Sequence, residues 1–199
     1  KTLPAHLAMV HAWGFASEAG WNHPSWSISA EWFAYLLFPL FASLVWPLRN
    51  RPWLAVGLAA VFAAALYLVF QRLAGFSLTE ATFHWGALRI VPCFLLGCAL
   101  YLVHRRMNGL AHAGLWSALF AGLLVAAAAL NLWDGWVVLA GGGLILSLAA
   151  LPNRDGLASR AGVYLGEISY SVYMVCAPWK LLAVNLAARA TGAEDKLLH

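Results

Sequence analysis

Polar and apolar positions along this chain fall into long blocks, with no short alternating pattern. No charged residue occurs over 32–48, 53–71, 113–133 or 135–153. A helix needs roughly 20 apolar residues to cross a bilayer core, and these blocks reach that length once their polar ends are included. They predict an all-α fold, a polytopic transmembrane helix bundle of about six spans. The spans are expected at about 28–48, 53–71, 85–103, 113–132, 136–151 and 162–180. Residues 1–16 read as the end of an upstream span or a re-entrant segment, and 181–190 as an extension of the last span or an interfacial stretch. Gly, Asn and Pro mark a loop over 17–27, and Asp134-Gly135 reads as a tight turn. Pro39 should kink the first span. The run Gly141-Gly142-Gly143 lets a neighbouring helix approach the fifth span closely.

Composition strengthens the membrane reading. Of 199 residues, 63% are hydrophobic and 10% charged, and the mean hydropathy is +0.75. A soluble domain carries about a quarter charged residues, so these few charges could not coat its surface. The net charge of +4 resides largely in short loops between spans, which points to membrane orientation and away from nucleic acid. Arg49, Arg51, Arg105, Arg106, Arg154 and Arg160 alternate with loops holding Glu18, Glu80 and Asp134, while Arg72, Arg189 and Lys196 fall on the second side. The positive-inside rule therefore predicts that loops 49–52, 104–112 and 151–160 are cytoplasmic. Of the eleven tryptophans, Trp13, Trp21, Trp26, Trp53, Trp85, Trp133, Trp136 and Trp179 sit beside charges, Pro or Gly, where an interfacial belt falls. Cys93, Cys98 and Cys176 lie in apolar stretches and read as small membrane hydrophobes. The chain opens on Lys1, close to the apolar stretch Leu7–Phe15, and is expected to begin partway through a larger protein.

The candidate chemistry gathers around Glu31, at the start of the first span. Its carboxylate either stabilises a helix N-terminus, with Ser27 or Ser29 as cap, or marks a substrate path at membrane depth. Arg89 enters the third span and either binds anions or extends to the head-groups. His11 and His23 flank the Glu31 loop, and histidine is a side chain suited to proton transfer. His84, His104 and His112 read as interface residues. Glu167 and Lys180 bracket the last span, with Tyr170 and Tyr173 between them on one face, lining a polar cavity or packing. No His, Cys or Asp cluster has zinc spacing, so no metal is expected.

Trp26-Ser27-Ile28-Ser29-Ala30-Glu31-Trp32-Phe33-Ala34-Tyr35-Leu36, with Pro39 following, resembles the W-S-L-S-V-E-x-x-F-Y-L-x-x-P signature of the acyltransferase 3 family. Arg89-Ile90-Val91-Pro92-Cys93-Phe94-Leu95-Leu96-Gly97 is similar to the family's R-x-x-P-x-F-L-x-G span. Leu165-Gly166-Glu167-Ile168-Ser169-Tyr170-Ser171-Val172-Tyr173-Met174 is similar to its L-G-x-I-S-Y-S-L-Y-L element. Where the family often has His-x-Pro, this chain has Cys176-Ala177-Pro178.

The resemblance implies a bacterial integral-membrane O-acyltransferase, of which this chain is the C-terminal part. Such enzymes move an acyl group, with acetyl the default, from an acyl-CoA-type donor to a carbohydrate or cell-envelope glycan. It implies acyl-CoA as donor substrate with no bound cofactor, the bilayer as surroundings, and the inner membrane as location. Glu31, His11 and His23 are the catalytic candidates, and Arg89, Trp26, Ser29 and Tyr170 the substrate-binding ones. By the same likeness, the histidine that acts as base lies upstream of this stretch. A transporter or flippase for a lipid-linked glycan, and a non-catalytic membrane protein on the same scaffold, are the rival readings.

Overall fold

The computed structural model describes residues 3–15, 23–152 and 157–191. Glu18, Trp21, Arg154 and Lys196, placed in loops by the sequence, lie outside the described residues. Every regular element among the described residues is helical. The α-helices are α1 (Leu3–Leu7), α2 (Ser25–Leu36), α3 (Phe38–Val45), α4 (Pro52–Ala74), α5 (Gly86–Arg106), α6 (Ala113–Ala129), α7 (Asp134–Ala149) and α8 (Leu157–Thr191). Short 3-10 turns occupy His11–Trp13, Trp46–Asn50 and Leu78–Glu80.

Among the described residues two helices, α4 and α5, are long and apolar enough to cross a membrane. The stretch expected as one first span is broken. Ser25–Leu36 and Phe38–Asn50 meet at 55°, and only together do they reach the length of a third span. Pro39 is the physical cause, since its ring cannot donate to the carbonyl four residues back and collides with it. The break falls at Leu37, whose N–H still reaches Phe33 O at 3.1 Å. Helices α6 and α7 are apolar but have 17 and 16 residues, short of the roughly 20 that a straight crossing needs. Helix α8 has 35 residues, with Glu167, Ser169, Ser171 and three tyrosines diluting its apolar character.

The termini of the spans differ from expectation in two places. Helix α4 runs on to Ala74 and stops at Gly75, whose φ of 78° is left-handed and whose N–H closes on Gln71 O. The basic turn expected at 104–112 begins inside α5, with His104, Arg105 and Arg106 forming its last turn. Cations there face the negative end of the helix dipole.

Helix α5 is the hub and packs against α2, α3, α4 and α7. Lipid gives helices no hydrophobic reason to associate, so close approach through small residues matters most. Ala55 and Ala59, one turn apart on α4, are buried with Ala99 and Leu96 of α5 and Val45 of α3. Helices α6 and α7 form a tightly packed hairpin. Ser117 donates to Ser147 across it at 3.1 Å, with both side chains buried. The glycine run of α7 serves two neighbours. A Cβ on Gly142 would lie 3.0 Å from Leu100 of α5, and one on Gly143 would lie 2.5 Å from the ring of Phe120 on α6.

Gly143→Val should therefore destabilise the hairpin by about 1–3 kcal/mol, because Phe120 has to move. Gly122→Ala, where a Cβ meets nothing within 4 Å, should leave stability unchanged or raise it slightly. Thermal unfolding of the two variants in detergent checks the contrast.

Candidate functional site

Three segments meet where α2 and α5 begin. The turn His11–Trp13 lies against the first two turns of α2 and against the start of α5. Gly86 permits the approach. A Cβ there would sit 3.1 Å from Ala12 Cβ and 3.2 Å from Trp26 Cε3, so the first residue of α5 must be bare for the three segments to touch.

Helix α2 starts earlier than the sequence suggested. Its N-cap is Pro24, no side chain caps it, and its first turn has no acidic residue. Ser27 and Ser29 are therefore not caps. Ser27 donates back to Pro24 O at 3.1 Å. Ser29 is completely buried, its Oγ accepts the Ala12 N–H at 3.0 Å, and its carbonyl accepts Trp13 Nε1 at 2.8 Å. As placed, Ser29 faces protein and fastens the N-terminal turn to α2. Ser25, one turn earlier on the same face, brings its hydroxyl 3.2 Å from His11 Nε2.

His11 is almost fully buried, at 2% exposure. Its ring stacks on His6 with centroids 4.3 Å apart and lies 6.3 Å from Phe83. Burial, followed by the neighbouring His6, lowers its pKa below 6.5, and hydrogen bonding at Ser25 and Ala5 opposes this. The neutral imidazole is thus the form this packing favours. His23 is exposed at the turn before Pro24 and touches the opposite side of the cluster, edge-to-face on Phe83 at 5.4 Å.

Arg89 sits one turn into α5 and is partly buried. Its guanidinium lies over the Trp26 ring at 4.9 Å and donates to Ala81 O at 3.2 Å. It thereby joins α5 to α2 and to the turn that follows α4. The tryptophan face supplies the electrostatic partner that a half-buried cation requires. Trp13 and Trp26 are thus engaged in the protein, while Trp53, Trp85, Trp133, Trp136 and Trp179 remain exposed as a belt would require.

Glu31 is the seventh residue of α2, past the first turn, and is partly exposed. Among the described residues it makes no hydrogen bond or ion pair, and Arg89 is committed to Trp26 and Ala81. Helical spacing aligns Glu31 with Ser27 and Tyr35, away from the Ser25–Ser29 face that meets His11. Tyr35 in turn packs edge-on against Phe94 of α5. The structure therefore brings His11, Ser25, Ser29, Trp26 and Arg89 together and leaves Glu31 on the adjoining face.

Helix α8 approaches the same place, with Tyr173 OH donating to Pro24 O at 3.4 Å. Tyr170 is exposed and lies a turn away without a described contact to the junction. Ala12, Ser25, Phe83 and Gly86 are members of the cluster that the sequence did not single out, and Trp13, expected in the interfacial belt, belongs to it as well. Only Gly86, a glycine opening an apolar span three residues before an arginine, carried a local signal. Among the described residues, no group of three or more His, Cys, Asp and Glu is placed to hold a metal ion.

The lowered pKa of His11 fixes the sign of a pH effect. As pH falls through about 6.5, the undocked segment takes up the proton first, so docking weakens toward acid and is strongest above that pH. The hydrogen-exchange protection of the Ala12 amide, corrected for intrinsic rate, should fall as pH is lowered through this window. His11→Phe should flatten the dependence.

The model of an acyltransferase domain, that of the acyltransferase 3 family, matches residues 1–185. The chain is also 32% identical over 202 aligned positions to acyltransferase MdmB of Streptomyces mycarofaciens. That alignment covers 88% of this chain and 49% of the relative, so the chain spans about half the length of that protein. No solved structure matches. The three motif segments that converge at the α2–α5 junction thus lie within the matched domain, and the chain belongs to the acyltransferase 3 family.

Proposed function

We propose that this chain is part of a membrane O-acyltransferase that moves an acyl group, acetyl by default, from an acyl-CoA-type donor to a hydroxyl of a carbohydrate or cell-envelope glycan. The observation that carries the reading is the convergence of three segments distant in sequence. Trp26 of the first motif meets Arg89 of the second at 4.9 Å, and Tyr173 of the third meets Pro24, two residues before the first, at 3.4 Å. Motifs that share a chemical task are expected to share a place, and the family membership supplies the task.

A sugar hydroxyl is a weak nucleophile at neutral pH. As its oxygen attacks the thioester carbonyl, a base removes its proton, and the developing oxyanion needs donors or a cation. The carbon–sulfur bond then breaks and the thiol departs with a proton. In this reading a histidine from the remaining half of the family's length is the base. Glu31 orients it or binds acceptor hydroxyls. His23, exposed against Phe83 at the edge of the cluster, is a second proton carrier. Arg89 and Trp26 form a cationic, aromatic wall for substrate. His11 and Ser29 hold that wall in position, and Tyr170 lies on the helix that borders it.

The protein is placed in the bacterial inner membrane with loops 49–52, 104–112 and 151–160 cytoplasmic. The full set of about six spans requires α6, α7 and α8 to cross as well, with local thinning or flanking residues compensating for short helices.

Glu31→Gln in the full-length protein tests the reading. Acyl transfer to membrane glycans should fall at least about a hundredfold with normal expression, the loss typical of a positioned acid–base group. Transfer at the wild-type rate would remove Glu31 from the mechanism.

A further inference from the structure

Away from that junction, at the far end of α5, two cavities share the side chains of Trp46 and Leu102. The first is a groove of about 640 Å³ between α3 and α5, lined by Phe38, Phe94, Gly97, Cys98 and Tyr101 among others. Every side chain on it is apolar, aromatic or a thiol. Phe38 and Tyr101 are more than half exposed, so the groove opens sideways from the helices, toward what would be lipid. Its volume falls in the range of small-ligand pockets, about 300–1,000 Å³.

The second cavity, about 300 Å³, is lined by Trp46, Arg49, Asn50, Leu102, Arg105 and Arg106. No carboxylate lines either cavity. Arg49 and Arg105 each place a guanidinium carbon 5.5 Å from the Trp46 ring. Arg106 has a different duty, donating to Asn50 O at 2.8 Å and Asn50 Oδ1 at 3.0 Å, which ties the end of α5 to the turn after α3. Arg49 donates to Trp46 O at 3.4 Å, a long bond that leaves most of its donors available, and Arg105 makes no hydrogen bond or ion pair among the described residues. The basic pocket lies at the last turn of a helix fit to cross a membrane, where lipid head-groups would be. The groove runs from it along the apolar part of that helix.

We infer that this pair of cavities is a binding site for an acidic phospholipid, with the head-group phosphate on Arg49 and Arg105 and an acyl chain in the groove between α3 and α5. The charge is complementary, since the two guanidiniums beside the Trp46 ring have no carboxylate in either cavity and planar guanidinium matches phosphate oxygens. Its polarity is complementary along its length, basic at the head-group level and apolar below. A further protein span would satisfy the groove but would leave the two arginines unanswered. This inference does not depend on acyl transfer.

The test uses the full-length protein in bilayer nanodiscs containing equal phosphatidylglycerol and phosphatidylcholine of the same chain length, released for native mass spectrometry. An arginine near an anionic surface is worth about fivefold in binding, so the wild type should retain phosphatidylglycerol at least about fivefold over phosphatidylcholine. Arg105→Gln should reduce that preference, and Arg49→Gln with Arg105→Gln should abolish it. Gly97→Leu fills the groove from a position where a Cβ meets nothing within 4 Å, and should lower retention of phosphatidylglycerol in a protein that still unfolds at the wild-type temperature. Equal retention of the two lipids by the wild type overturns the inference. So does a preference untouched by the arginine variants, or unaltered retention in Gly97→Leu, which would mean that protein already fills the groove.

Discussion

A guanidinium at the start of a membrane helix must be answered by something, and in this protein the answer to Arg89 organises the end of the bundle. Its charge rests on the face of Trp26 at 4.9 Å and one donor closes on Ala81 O. That pair of contacts locks α2, α5 and the turn after α4 into one arrangement. The bare Cα of Gly86 then lets the His11–Trp13 turn settle into the same corner. Ser29, wholly buried, completes the corner by accepting the Ala12 N–H and offering its carbonyl to Trp13. A buried polar atom costs free energy unless bonded, so each of these groups holds the next in place. The junction is a polar knot where the first two motif segments meet, and Tyr173 of the third touches it at Pro24.

What the sequence makes legible follows from periodicity and local chemistry. Apolar length identifies α4, and α5 in spite of Arg89 and Pro92, because a helix in lipid needs little beyond length and hydropathy. Pro39 announces the bend at Leu37, though not its 55° size, which depends on how α3 leans on α5. The glycine run of α7 signals close packing, and both Gly142 and Gly143 face neighbours. Other features depend on contacts between residues far apart in the chain, and no local pattern encodes those. Ser29 looks like a cap in sequence and proves to be a fastener, because α2 begins at Ser25 and the helix start is displaced by a turn. Glu31 and Arg89 look like partners by charge, yet α2 turns the carboxylate toward the Tyr35 face while Trp26 takes the arginine. Of the two tyrosines singled out on α8, Tyr173 reaches Pro24 and Tyr170, one turn away, makes no described contact there.

Family membership gives this arrangement a chemical context, and the chain's coverage of about half the relative's length sets its scope. The two ends of α5 are differently equipped. One end carries Arg89, committed to an aromatic face and a carbonyl. The opposite end carries Arg105, beside the Trp46 ring at 5.5 Å and without a hydrogen bond or ion pair among the described residues. A single helix thus separates a polar junction built from motif residues from a basic pocket beside an apolar groove.

The most direct test of the account is a double-mutant cycle on Trp26→Leu and Arg89→Gln, read as thermal stability of the full-length protein in detergent. The knot described above predicts a coupling of about 0.5–2 kcal/mol between the two positions. Additive effects, within about 0.3–0.5 kcal/mol, would show that the guanidinium and the indole do not depend on each other, and would contradict it.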